Sequence, residues 1–84
     1  MTITAYLYFS DGAYVADFSD GTKISDPVIS KVVRQLLEHG VQPGDVTMDN
    51  KSALNKLMDI FWAVSKKDWM LVRMYTYEFE TRMS

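Results

Sequence analysis

The chain contains no cysteine, one histidine, two prolines and no apolar run of membrane-spanning length. Without cysteine there is neither a disulfide framework nor a thiolate metal site, which fits a reducing cytoplasm. A membrane span needs about 18 or more consecutive apolar residues. A secretion signal needs a basic stretch ahead of an apolar block, and the first residues carry none. The expected setting is cytoplasmic, with no membrane partner.

Catalytic chemistry is scarce as well. His39 has no Cys to join it in a zinc site, and one histidine leaves few bases for a nucleophilic triad. Its place near the end of an expected helix suits a structural cation. Asp11 and Asp20 fall in turns at opposite ends of one strand, too far apart to share an ion. No calcium-loop spacing with a closing Glu occurs. Gly40 and Gly44 follow a helix, whereas a phosphate loop lies between a strand and a helix. No cofactor, no metal and no enzymatic activity are expected.

Positive charge is not in excess either. The formal net charge is −2, with Asp11, Asp17, Asp20 and Asp26 against Lys23 alone in residues 1–30. The basic residues Lys31, Arg34, Lys51, Lys56, Lys66, Lys67, Arg73 and Arg82 are interleaved with acids rather than gathered on one face. Direct nucleic-acid binding is therefore disfavoured. At 48% apolar and 24% charged, the 84 residues suit one folded domain over 1–84 rather than a disordered segment.

What is present begins with a word written twice, Phe9-Ser10-Asp11-Gly12 and Phe18-Ser19-Asp20-Gly21. Asp-Gly between alternating runs is a strong hairpin signal, because a type I′ turn needs positive φ at both central residues. A two-residue turn at Asp11-Gly12 pairs Phe9 with Tyr14, Leu7 with Ala16 and Ala5 with Phe18. One face then carries Ile3, Ala5, Leu7, Phe9, Tyr14, Ala16 and Phe18; the other carries Thr4, Tyr6, Tyr8, Ala13, Val15 and Asp17. A second tight turn at Asp20-Gly21 puts Asp17 opposite Ile24, with a short edge strand over 22–25.

Asp26-Pro27 then opens a helix over 27–39, whose apolar stripe is Val28, Ile29, Val32, Val33, Leu36 and Leu37. Gly40 ends it, with Val41 folding back. After Pro43-Gly44, Val46-Thr47-Met48 is either extended or the start of the next helix. Asp49 or Asn50 caps a helix over 50–66, with Ala53, Leu54, Leu57, Met58, Phe61, Trp62 and Val64 as its stripe. Ile60 lies off that stripe, so more than one side is covered. Lys66 and Lys67 suit the end of this helix. Asp68 caps a third helix over 68–83, with Trp69, Val72, Thr76, Phe79 and Met83 inward and Glu78 placed for Arg82. The strict alternation of Tyr75 to Glu80 keeps a strand open there.

The fold class is α+β: an N-terminal antiparallel three-stranded meander over about 2–25, packed against these three helices. Trp62, Trp69, Phe61 and Phe79 belong to the expected core. Tyr6 and Tyr8 face away from it, so the candidate partner-binding residues are Tyr6, Tyr8, Asp11, Val15, Asp17 and Asp20, with Ile24 beside them. Tyr-rich strips with a charged rim resemble protein-binding surfaces. A helix covering this second face is the plainer alternative.

The expected function is a small non-enzymatic protein that binds and inhibits or modulates a larger macromolecular complex. Its size and class match phage and mobile-element inhibitors such as anti-CRISPR proteins, acting in the host cytoplasm; this is analogy. The alternatives are an immunity protein or antitoxin, or a nucleic-acid-associated regulator. The chain is expected to be a monomer or a homodimer, Met70 and Met74 being candidates for a seam.

Overall fold

The computed structural model describes residues 2–83. Its elements are β1 (Ala5–Ser10), β2 (Ala13–Phe18), β3 (Lys23–Asp26), α1 (Ile29–Glu38), a 3-10 turn (Pro43–Asp45), β4 (Val46–Thr47), α2 (Lys51–Ser65) and α3 (Trp69–Met83). The strands form one sheet in the order β3-β2-β1-β4. The α+β class, the meander and all three helices are as expected, and 69–83 is helix rather than strand.

The first turn sets the frame. Asp11 (φ 52) and Gly12 (φ 78) are both left-handed, as a type I′ turn requires. Ser10 pairs with Ala13, Phe9 with Tyr14 and Leu7 with Ala16, so the inner and outer sets separate as the alternation dictates.

The second copy of the word behaves differently. Phe18 N donates to Thr22 O (2.8 Å) and Gly21 N donates to Phe18 O (3.0 Å), so the loop is three residues, Ser19-Asp20-Gly21. Only Gly21 has positive φ there. Asp17 therefore pairs with Lys23, and Ile24 pairs with Ala16 and faces inward. This corrects the expected pairing of Asp17 with Ile24 by one residue. The cause is the first turn. Closing it with the Ser10–Ala13 pair points the backbone of every odd residue of β2 at β1. Ser19 follows suit and donates to Thr4 O (2.9 Å), so it cannot also close a turn toward β3.

The strand then runs to Asp26, which delays the helix. Asp26 does not cap α1 but accepts from Val28 N at 2.8 Å, and the helix starts at Ile29 after Pro27 and Val28. Its other end is as expected. Gly40 (φ 82) donates to Leu37 O and Val41 to Leu36 O, a Schellman closure that buries Val41. The chain then passes Pro43 and adds β4, pairing Val46 with Ala5 and Thr47 with Tyr6 in parallel.

Asn50 caps α2, accepting from Ala53 N at 3.0 Å. The helix ends at Ser65, so Lys66 is the cap and Lys67 lies beyond it. Lys67 repeats the Schellman closure at φ 57, a left-handed conformation that glycine takes more readily. Asp68 then caps α3, accepting from Leu71 N at 3.2 Å, so a single tight link joins the two helices.

All three helices pack on the inner face, where Ala5, Leu7, Tyr14, Ala16 and Phe18 join Val32, Val33, Leu36, Leu57, Ile60, Phe61 and Phe79 in one buried cluster. Two tryptophans are not in it. Trp62 and Trp69 are 52% and 53% exposed, against the expectation that both are core. The buried arc of α2 is centred on Leu57, Ile60 and Val64, with Ala53, Phe61 and Ala63 beside them. That rotates Trp62 to the solvent side. Trp69 stands at the start of α3 with the Arg34 guanidinium 5.9 Å over its ring. Glu78 and Arg82 also choose other partners. Lys56 lies 3.1 Å from Glu78 and 3.2 Å from Asp59, and Arg82 reaches the Ser52 hydroxyl at 3.0 Å.

Candidate functional site

The outer face of the sheet carries Tyr6, Tyr8, Val15, Asp17, Lys23, Ser25 and Thr47, and the described helices leave it uncovered. Tyr6 and Tyr8 lie side by side with ring centroids 5.6 Å apart and a 31° tilt. The Tyr6 hydroxyl donates to Asp49 Oδ2 at 2.9 Å, which ties the chain ahead of α2 to this face. That bond, and the carboxylate facing any phenolate, hold the Tyr6 pKa above its ordinary value.

Beside Tyr8 an open depression of about 380 Å³ is bounded by Asp11, Val15, Lys23 and Ser25. Lys23 Nζ sits 3.6 Å from Asp17 Oδ1, an exposed pair at the rim. The sequence-predicted residues thus divide. Tyr6, Tyr8, Val15 and Asp17 share one face, and Asp11 joins them at the first turn. Val15, expected to be open, is only 9% exposed, because β2 is an interior strand and Tyr8 and Ser25 flank Val15 on both sides. Asp20 is turned to its own loop. Its carboxylate accepts from Thr22 N at 2.9 Å, and this bond lowers its pKa. Ile24 leaves the face entirely, and Lys23 takes its place.

Lys23 was findable in the sequence by following the backbone parity of β2 through to Ser19. Asp49 was not, since its approach to Tyr6 depends on β4 joining the sheet.

Two other features lie outside this face. Met70, Met74 and Tyr77 follow one another at spacings of four and three along the solvent side of α3, 84%, 50% and 75% exposed. His39 packs its ring on Phe18 at 4.8 Å, with Nδ1 3.1 Å from Gln35 O, which is a packing role at the end of α1. Among the described residues no group of three or more acidic, histidine or cysteine side chains is placed to hold a metal ion. No described helix is long and apolar enough to cross a membrane.

No family model matches the chain, and neither a curated protein nor a solved structure matches it.

Proposed function

We propose that this is a small non-enzymatic binding protein that docks on a larger protein complex through the outer face of its sheet and inhibits or modulates it. The observation that carries this reading is the uncovered tyrosine pair. Two adjacent rings stand beside an open depression on a rigid sheet, rimmed by Asp11 and by the Asp17–Lys23 pair. Tyrosines present a large contact area at low entropic cost, and aromatic anchors dominate the energetics of many interfaces. The acidic balance of residues 1–30 selects a partner surface that is basic. Inhibitors of phage and mobile-element origin supply the class by analogy of size and architecture, an analogy that the anti-CRISPR proteins illustrate.

The test compares the native protein with Tyr6→Ala/Tyr8→Ala in capture from a host lysate, followed by titration against the captured complex. The double variant is expected to lose capture while its circular dichroism stays native. A variant carrying Met70→Ser and Met74→Ser is expected to bind normally. Undiminished capture by the tyrosine variant would remove the outer face from consideration.

A further inference from the structure

Val72 and Phe79 are the buried residues of α3, and the described elements leave its opposite side open. Along that side stand Met70, Met74, Tyr77 and Thr81, at spacings of four, three and four residues, and none of them is charged. This spacing is that of a two-helix seam, in which side chains of one helix seat in holes of the other. The two ends of the stripe differ in relief. Met70 is 84% exposed, a projecting knob. At the other end Tyr77 and Thr81 form one side of an open cleft of about 400 Å³, with half-exposed Phe9 across from them and the buried Tyr14 ring as the floor. The Thr81 hydroxyl already donates to Tyr77 O at 3.0 Å, so covering it strands no hydrogen bond.

A knob and a cleft on one helical face fit each other when a second copy lies antiparallel across that face. A twofold axis midway between Met74 and Tyr77 sets Met74 against the copy's Tyr77 and Met70 against the copy's Thr81, at the mouth of the cleft. Both contacts recur on the other side of the axis. A methionine thioether is flexible and packs well at aromatic edges, which Phe9 and Tyr77 supply. Charge favours the same direction. Lys66, Lys67 and Arg73 outnumber Asp68 around the start of α3, whereas Asp59, Glu78 and Glu80 outnumber Lys56 and Arg82 around its end. Antiparallel copies set unlike ends together, and parallel copies set like ends together. We infer that α3 is the seam of a homodimer, with Met70 of each copy seated in the Phe9–Tyr77 cleft of the other. The seam lies on the helical layer, across the sheet from Tyr6 and Tyr8, so it leaves that face open on both copies. Two helical turns bury less than the roughly 800 Å² per partner of a standard interface, so the dimer is weak and forms as concentration rises.

Analytical ultracentrifugation of the full chain over a concentration series tests the seam, and a mass rising toward that of two chains is expected. The variant with Met70→Ser and Met74→Ser should dimerise at least about tenfold more weakly. Both side chains are exposed in the single copy, so the fold persists, which circular dichroism verifies. The register is read with introduced cysteines, since the chain has none of its own. Residues 70 and 81 of one helix lie about 16 Å apart, too far for a disulfide within a copy. Under mild oxidation at dimer-forming concentration, a mixture of Met70→Cys and Thr81→Cys chains should yield a crosslinked heterodimer. Either variant alone should yield almost none. Efficient crosslinking of Met70→Cys to itself would overturn the antiparallel register. A native chain that stays monomeric at every concentration, or association untouched by the methionine substitutions, would overturn the seam. Capture through Tyr6 and Tyr8 is a separate assay, so failure of the seam and failure of the docking face are read independently.

Discussion

Leu7 and Tyr8 are neighbours in β1 with opposite tasks. Leu7 is buried against the helices at 1% exposure, whereas Tyr8 lies on the face that the described helices leave open. The same division repeats in β2 between Ala16 and Asp17, and in β3 between Ile24 and Lys23. Because successive side chains leave a strand on opposite sides, one short hairpin specifies the core and displays a surface. On the proposed reading, stability and recognition are therefore separable by single substitutions one residue apart.

The sharpest way to break this comparison is Leu7→Ala against Tyr8→Ala. The first removes a fully buried side chain and is expected to cost about 2–5 kcal/mol. The second is expected to cost less than about 1 kcal/mol, as a change on the open face. Chemical denaturation of both variants measures the difference, and similar losses would mean that the outer face is packed.

A smaller effect is expected where the second turn sets the register. Ile24→Lys puts a charge against the core cluster and should destabilise by about 1–3 kcal/mol. Lys23→Ile should stay within about 0.5 kcal/mol, since Lys23 projects outward. Reversed results would restore the two-residue turn and its pairing of Asp17 with Ile24.

The smallest effect concerns the Tyr6–Asp49 bond, and it appears in pH dependence. The Tyr6 pKa lies above its ordinary value of 10.0 in the folded protein, so the folded state holds its proton longer than the unfolded chain does. The associated stability is fully present below that ordinary value and is lost as pH rises through the raised one. Asp49→Asn keeps an acceptor but removes the charge. It should bring the Tyr6 titration, followed by ultraviolet absorbance, back toward the ordinary value and leave neutral-pH stability nearly unchanged.

Much of this fold is legible in the residues. Asp11-Gly12 names its turn, Gly40 its helix end and Asp68 its cap, because each depends on conformational preferences spanning a few positions. Tyr6 and Tyr8 are placed by the same local alternation. Trp62 and Trp69 were misassigned because amphipathic spacing shows that a helix has an apolar stripe but not which neighbours press on it. On α3 the difficulty is plainest, since Val72 and Phe79 are buried while Met70, Met74 and Tyr77 face solvent.

By itself, then, the sequence determined the first hairpin, its two-faced alternation, the three helices, the Gly40 closure of α1 and the caps that open α2 and α3. Those follow from short-range sterics and hydrogen bonding. Even the three-residue second turn was implied, because the spacing from Ala13 to Ser19 gives both the same backbone direction. Only tertiary structure decided that β4 would join the sheet beside β1, that Trp62 would be turned outward, and that the Tyr6 hydroxyl would reach Asp49. Each of these joins segments far apart in the chain, and their meeting is set by how the helices share one face of the sheet.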